Sequence, residues 1–407
     1  MATPFTVSRR AVRRFLLDVQ GLLSVENKKE PPTADNVLEM IKKLECVQLD
    51  PVSVVERNQH LVLAARMPGY QPTLLHKLLQ QGKLFEYLAN AACAIPIEDY
   101  PLFKPTRERI GQQLQPRLDE LAPVIEQVLK RLEVDGPLPS RTFDSNQRVH
   151  GYWDNQLPKT KDTSLALNLL VDTGTIRVVR REGSERFFDL SRRTVPQQIW
   201  QEAETIDTVD AREQLLQKYL CAYRVFDPGD PRFGWSKMSA SQRRQAIQER
   251  VQKGSVIPLQ IEGIRRNYFI LASDLDRLQT HAQIASDHDA SAEGPIRFLP
   301  PLDNLLWRRE RVEDLFGFSY KWEIYVPRAK RRYGPYAMPI LADDRLIGRI
   351  DPQMDRKNGV LTIRLLQVEP DIRLTPRLRQ NLDDALQSFA RFHGVDSFKV
   401  EMQKSKH

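Results

Sequence analysis

In the stretch VQLDPV an amide and a carboxylate, Gln48 and Asp50, stand two residues apart in an apolar run that Pro51 closes. In an extended segment side chains alternate between two faces. Val47 and Leu49 then point one way, and Cys46, Gln48 and Asp50 the other. A carboxylate can take a proton from water or steady a nearby cation, and an amide can hold that water in place. The same pair also fits a polar strand face closed by local hydrogen bonds, and Asp-Pro is a common turn starter. A motif this short does not choose between the two.

Other residues offer less. Cys46, Cys93 and Cys221 lie far apart, against a disulfide framework and against a CxxC metal site. The seven histidines form no HExxH or Cys-His spacing, so neither metal nor cofactor is expected. Asp343, Asp344, Asp351 and Asp355 could suggest a magnesium nuclease, but they fall between short strands, where turn chemistry is the better reading. Trp153, Trp307 and Trp322 are expected in the core.

Basic residues gather in several places. RRAVRR (Arg9, Arg10, Arg13, Arg14) reads as a solvated or phosphate-facing helix surface. In LPKTKDTS, Lys159 and Lys161 precede a helix N-terminus, a place for a phosphate contact, and the turn RREGSER is similar. PRAKRRYGPY carries Arg328, Lys330, Arg331 and Arg332 beside Tyr333 and Tyr336. It is either a solvated turn or a hairpin that meets a duplex.

Composition sets the frame. At 407 residues the chain is too long for a single core. With 41% hydrophobic residues and a mean hydropathy of −0.48, it is an ordinary globular protein. Sixty-one Lys and Arg against 53 Asp and Glu leave a net charge of +8, which modestly favours a polyanionic partner. No apolar run approaches the ~20 residues that cross a bilayer, and the start lacks a signal peptide. A reduced, cytoplasmic protein with no membrane partner is expected, and no obligatory protein partner is inferred.

The elements that must position Gln48 and Asp50 follow from periodicity. A helix at SRRAVRRFLLDVQ is followed by a polar gap and a second helix over Val37–Leu44. Then come the short strand CVQLD, a helix through VVERNQHLVLAARM, the helix TLLHKLLQQ ended by Gly82, and two strands, KLFEYL and AACAIPI. Helix, strand, helix, helix, strand, strand is the order of a winged helix. It recurs twice, with hairpins at TIRVVRREGSERFFDL and VIPLQIEGIRRNYFIL. A polar linker from Asp276 to Pro295 leads to strand-like runs at KWEIYVP, YAMPIL, RLIGRID and GVLTIRLLQV and to a last helix. The expectation is an α+β chain: a winged helix over 1–115 holding the Gln-x-Asp strand, others over 116–205 and 206–290, and a β-rich, barrel-like domain over 291–407.

At this point three blocks carry a resemblance: VQLDPVSVVERNQHLVLAAR, GTIRVVRREGSERFFDL and, most distinctive, LPPLDNLLWRRERVEDLFGFSYKWEIYVPRAKRRYGPYAMPILADDRLIGRIDP. The chain resembles the bacterial winged-helix DNA glycosylases that unhook interstrand crosslinks and remove bulky alkylpurines, the AlkZ/YcaQ-like family. The resemblance covers nearly the whole chain. It implies that Gln48 and Asp50 are catalytic, in the Gln-x-Asp version of the motif. It also implies that Arg57 and His60, on the following helix, contact DNA or help hold water, with His60 on the polar side. Members usually carry Trp where Leu88 stands, His at Asn90 and Ser at Cys93. Asn90 can still hydrogen-bond in the DNA-binding site but cannot carry charge or shuttle a proton.

The implied substrate is double-stranded DNA with an alkylated or crosslinked guanine. Glycosidases usually need both an acid and a base. N7-alkylguanine already bears positive charge and leaves unprotonated, so a carboxylate and a positioned water suffice. A base tied to the opposite strand cannot swing ~180° into a closed pocket, so an open site is required. The rival reading, from another class, is a winged-helix DNA-binding regulator, which has no need of a Gln-x-Asp pair.

Overall fold

The first helix, Arg9–Val19, forms where its periodicity puts it. The Ser8 hydroxyl accepts the Ala11 N–H, and Val12, Phe15, Leu16 and Val19 are buried. Its partners are not those expected. Strand Phe5–Val7 runs parallel to Val256–Ile261, and the helix shares a core with Leu278, Val312 and Leu315. This N-terminal segment therefore packs mainly with the third unit and the region after it, and meets the first set where Arg66 donates to the Gln20 carbonyl at 2.8 Å.

The computed structural model describes residues 3–23, 30–155, 157–284 and 294–404. Part of the polar gap after the first helix and the second half of the expected linker lie outside these residues. The linker's first half is ordered as the helix Leu275–Ile284, which packs on Arg9–Val19.

Three sets of elements are present; the first has the anticipated order, while the second and third have a single α-helix between the short strand and the hairpin. The first comprises helix Ala34–Leu44, strand Val47–Gln48, helices Asn58–Ala64 and Pro72–Gln80, and the hairpin Leu84–Leu88 with Ala92–Pro96. The second has helix Ala122–Asp135, strand Leu138–Pro139, helix Asp162–Asp172 and the hairpin Ile176–Glu182 with Glu185–Leu190. The third has helix Thr208–Tyr223, strand Val225–Phe226, helix Ala240–Gln252 and the hairpin Val256–Ile261 with Tyr268–Leu271. In each set the short strand between helices pairs antiparallel with one hairpin strand: Gln48 opposite Cys93, Leu138 opposite Phe188, Val225 opposite Ile270. Local chemistry explains the helix limits. Thr33 and Ser239 form reciprocal capping boxes with Asn36 and Gln242, and Gly82 and Gly174 end helices at φ of 66° and 75°, where a Cβ would strain.

Other expectations need correction. Residue 115, the anticipated end of the first unit, lies inside a continuous helix, Lys104–Glu120. The helix through VVERNQHLVLAARM is confined to Asn58–Ala64, because Val54 and Val55 leave it to pack on the C-terminal sheet. KWEIYVP is irregular rather than a strand. The described strands of the C-terminal sheet form an open, mixed sheet in the order Ile296–Phe298, Met338–Ala342, Arg345–Asp355, Val360–Val368, Phe398–Val400, with Gln403–Lys404 also on Val360–Val368; the last two both run parallel to it. Helix Pro376–Phe392 packs on it through Leu378, Leu382 and Leu386. Trp307 is buried and Trp322 partly so, but Trp153 is 92% exposed.

The RRAVRR surface is neither solvated nor free for phosphate. Arg10 reaches the buried Asp344 at 3.0 Å, Arg13 at 3.5 Å and Arg14 at 3.7 Å. A buried carboxylate without such partners would cost several kcal/mol. The cluster joins the first helix to the Asp343–Asp344 turn. The other acids also serve structure. Asp351 accepts the Tyr336 N–H and pairs with Arg364, and Asp355 caps the turn at Lys357 and Asn358.

Candidate active site and nucleic-acid interface

The strand that carries the pair is only Val47–Gln48, buried on both faces. Val47 packs with Val37 and Ile41, and Cys46 with Phe85, Cys93 and Tyr219. Leu49 continues the pairing through its N–H to Ala92 O at 2.8 Å, and Asp50 already lies in a turn. Two amides at the start of the next helix hold this backbone. Asn58 donates to Gln48 O at 2.8 Å, and Gln59 accepts the Asp50 N–H at 3.3 Å. The LPPLDN block clamps the other side. Asn304 donates to Cys46 O at 2.8 Å, and Leu302 exchanges hydrogen bonds with Asn58. Beneath it, Asp303 grips Arg66 through two bonds of 2.6 and 2.9 Å with both side chains fully buried. Asn58, Gln59, Asp303 and Asn304 are positioning residues that sequence reasoning missed. The signal was two amides opening an otherwise apolar helix.

The side chains of the pair are held differently. Gln48 is buried, and its Oε1 accepts from Asn90 Nδ2 at 3.1 Å. Asn90 Oδ1 in turn accepts the Tyr223 hydroxyl at 3.0 Å. With its oxygen committed, Gln48 is left with Nε2 as the donor for anything outside. Asp50 is half-buried, beside the exposed Pro51. Its Oδ1 accepts the Val52 N–H at 2.8 Å, and Oδ2 has no partner among the described residues. Burial raises its pKa, partly countered by the Val52 N–H. A half-buried carboxylate with one free oxygen and no cation paired to it is suited to accept a proton.

The expected DNA-binding residues fall into distinct groups. Arg57 sits at the start of helix Asn58–Ala64 and donates to Gly183 O at 2.9 Å, tying the motif to the tip of the second unit's hairpin. His60 is not on a polar face. It is 3% exposed, Nδ1 lies 2.9 Å from the Tyr70 hydroxyl, and burial holds its pKa at about 3. A neutral, enclosed imidazole cannot touch DNA, so this expectation is corrected. Asn90 is likewise buried, acting on Gln48.

Lys161 pairs with Asp144, while Lys159 is exposed, in the loop before helix Asp162–Asp172. The hairpin turn RREGSER is more structural than expected: Arg181 forms a bidentate pair with Glu86 of the first unit, both bonds 2.6 Å. In the basic run, Arg328 and Lys330 stand exposed in a short 3-10 turn. Arg331 is spent on the carbonyls of Val326 and Ile324. The buried carboxylate of Glu323 gathers the N–H groups of Arg332, Tyr333 and Gly334, so this is a pinned loop and not a strand hairpin. The guanidinium groups of Arg332 and Arg349 lie over the Tyr333 ring, at 5.0 and 3.8 Å from its centroid. The loop adjoins the site: burial raises the Tyr336 pKa, and the Asp50 charge adds to it.

The residues that clamp the pair are the ones a family model described as DNA glycosylase AlkZ-like spans, since its match runs over residues 41–392. The chain belongs to the AlkZ-like DNA glycosylase family. Its substrate is therefore DNA, and its activity is that of a repair glycosylase. The DNA glycosylase AlkZ of Streptomyces sahachiroi has a similar fold, with a TM-score of 0.62 over 98% of this chain and 100% of that one, at 17% identity. Within this AlkZ-like chain the LPPLDN…WRRER block is revealed as internal scaffold. Arg308 pairs with Asp227, and Arg311, fully buried, donates to the carbonyls of Tyr223, Val225 and Leu305. Among the described residues, no helix is long and apolar enough to cross a membrane.

Proposed function

We propose that this protein is a monofunctional glycosylase hydrolysing the N-glycosidic bond of N7-alkylguanine, including guanines in interstrand crosslinks, with water held between Gln48 and Asp50. We also read the three helix–strand–hairpin sets as winged helices that present this site to a duplex, in the cytoplasm. The observation that carries the reading is the Tyr223–Asn90–Gln48 chain of hydrogen bonds beside the unpartnered Asp50 Oδ2. Gln48 Nε2 donates to the water oxygen while Asp50 Oδ2 accepts one of its protons. The C1′–N9 bond breaks with its electron pair going to N9, which quenches the positive charge of the alkylated ring. The water oxygen then bonds C1′, and the proton on Asp50 passes to solvent. No general acid is needed for this leaving group. No lysine or proline amine is nominated as a Schiff-base nucleophile, and the side chains hydrogen-bonded to the pair are the amides Asn90 and Gln59, so no lyase step is proposed.

An open site suits a crosslinked base. Asp50 is followed by the exposed Pro51 and Ser53. Two cavities of about 410 and 420 Å³ lie elsewhere and include neither Gln48 nor Asp50. Arg328, Lys330 and Arg332, on the loop that adjoins the site, and Lys159, on the second unit, are read as phosphate contacts, and Arg57 joins the site to the neighbouring hairpin. The test is release of free base from duplexes containing N7-methylguanine or an N7-linked crosslink. Release of modified guanine with an abasic product is expected. Tight duplex binding with no release would make the protein a DNA-binding regulator instead.

A further inference from the structure

A tryptophan in water is unusual, and Trp153 is 92% exposed on a loop that is organised to hold it there. The loop leaves a two-stranded base, Arg148–Val149 paired with Thr160–Lys161. Inside it, one oxygen of Asp154 accepts the N–H groups of Gly151, Lys159 and Thr160 and the Thr160 hydroxyl, at 2.9 to 3.0 Å. Residue 151 must be glycine, since a Cβ there would lie 2.0 Å from Thr160 Oγ1. Tyr152 turns back and donates to Asp172 Oδ2 at 2.8 Å. Both neighbours of Trp153 are thus anchored, while its own ring is not.

Two cations stand on the rim of the loop: Arg148 and Lys159 are exposed and make no ion pair among the described residues, while one oxygen of Asp154 is taken up within the loop. The loop is also coupled to the catalytic strand. Asp172, which receives Tyr152, gives its carbonyl to the Tyr87 hydroxyl at 2.6 Å, and Tyr87 and Gln48 both sit opposite Cys93 in the sheet. An exposed aromatic plane on a loop that also carries two exposed cations suits a nucleic-acid base and its phosphates. A protein partner needs roughly 800 Å² of surface, which one ring and the nearby exposed Leu157 do not approach.

We propose that Trp153 is a stacking residue for DNA: its ring lies on a base unstacked near the lesion, while Arg148 and Lys159 hold the flanking phosphates. This rests on the glycosylase reading, because it takes the same DNA as its ligand. Undamaged duplex offers no such base face, so the loop favours DNA already distorted by damage.

The experiment is an anisotropy titration of the full-length wild type, Trp153→Ala and Trp153→Phe against a perfect duplex and one with a three-nucleotide bulge. Trp153→Ala should weaken bulge binding by about 5- to 150-fold, the range of one base–aromatic stack, with little change on perfect duplex. Trp153→Phe should recover most of the loss, and bulged DNA should shield the wild-type protein from acrylamide quenching more than the Ala variant. Equal loss on both DNAs, or none on either, overturns the proposal. A change in solution mass of Trp153→Ala with DNA affinity intact also overturns it, in favour of a protein contact. Base release by wild type is scored separately, so a protein that releases base yet ignores Trp153 sinks only this inference.

Discussion

Asp50→Asn separates chemistry from structure at this site. The substitution keeps the volume of the side chain and leaves an oxygen to accept the Val52 N–H. What disappears is the negative charge and the proton acceptor at Oδ2. Exchanging a charge-assisted hydrogen bond for a neutral one costs about 1 kcal/mol. Burial offsets this. The folded-state pKa of Asp50 is raised, so the native protein binds this proton more tightly than the unfolded chain. Its favourable contribution to stability is complete below the unfolded pKa and is lost as pH rises through the raised one. At neutral pH the ionised carboxylate is a liability that Asn removes, so the variant should be as stable as wild type within about 1 kcal/mol.

Catalysis should fall by on the order of 10²-fold or more, about 2.7 kcal/mol of barrier. Duplex affinity should hold or rise, because a negative charge facing phosphates is gone. The assay is single-turnover release of N7-methylguanine, with anisotropy for binding and urea unfolding for stability on the same preparations. Wild-type activity should also decline on the acid side, with a midpoint above the ordinary aspartate value, as Asp50 takes up its proton. Base release by Asp50→Asn within tenfold of wild type refutes this role for the carboxylate, and so does a joint fall of activity, affinity and stability.

Tyr223→Phe removes the donor that fixes the Asn90 amide, letting Asn90 and then Gln48 turn over. Release should fall about fivefold, one hydrogen bond's worth, and Tyr223→Phe should add no further loss in a Gln48→Ala background. Asp303→Asn leaves the fully buried Arg66 without its counter-ion and should cost about 3–5 kcal/mol in urea unfolding. Replacing Arg328 and Lys330 together by Gln should lower the slope of log K against log salt by about 0.9 for each phosphate no longer neutralised, with release at saturating DNA unchanged.

What the sequence determined by itself was local: where most helices begin and end, which hairpins form, and that a short strand carries Gln48, though not that it stops before Asp50. Caps such as Thr33 and Ser239, the positive-φ glycines and the apolar spacing act over a few residues, so they are readable in order. The LPPLDN…WRRER block named the family from its composition but did not disclose its task. Only the tertiary structure decided that Asn304 and Asn58 pin the strand, that Tyr223 and Asn90 orient Gln48, and that Arg10, Arg13 and Arg14 close on Asp344. It also decided that His60 is enclosed and neutral, and that Trp153 stands in water. A basic or polar residue looks the same in sequence whether it will meet a phosphate or a buried partner far along the chain. Its role depends on burial, which the whole packed chain sets, because a charge removed from water must find its counter-charge or hydrogen bonds wherever the fold brings them.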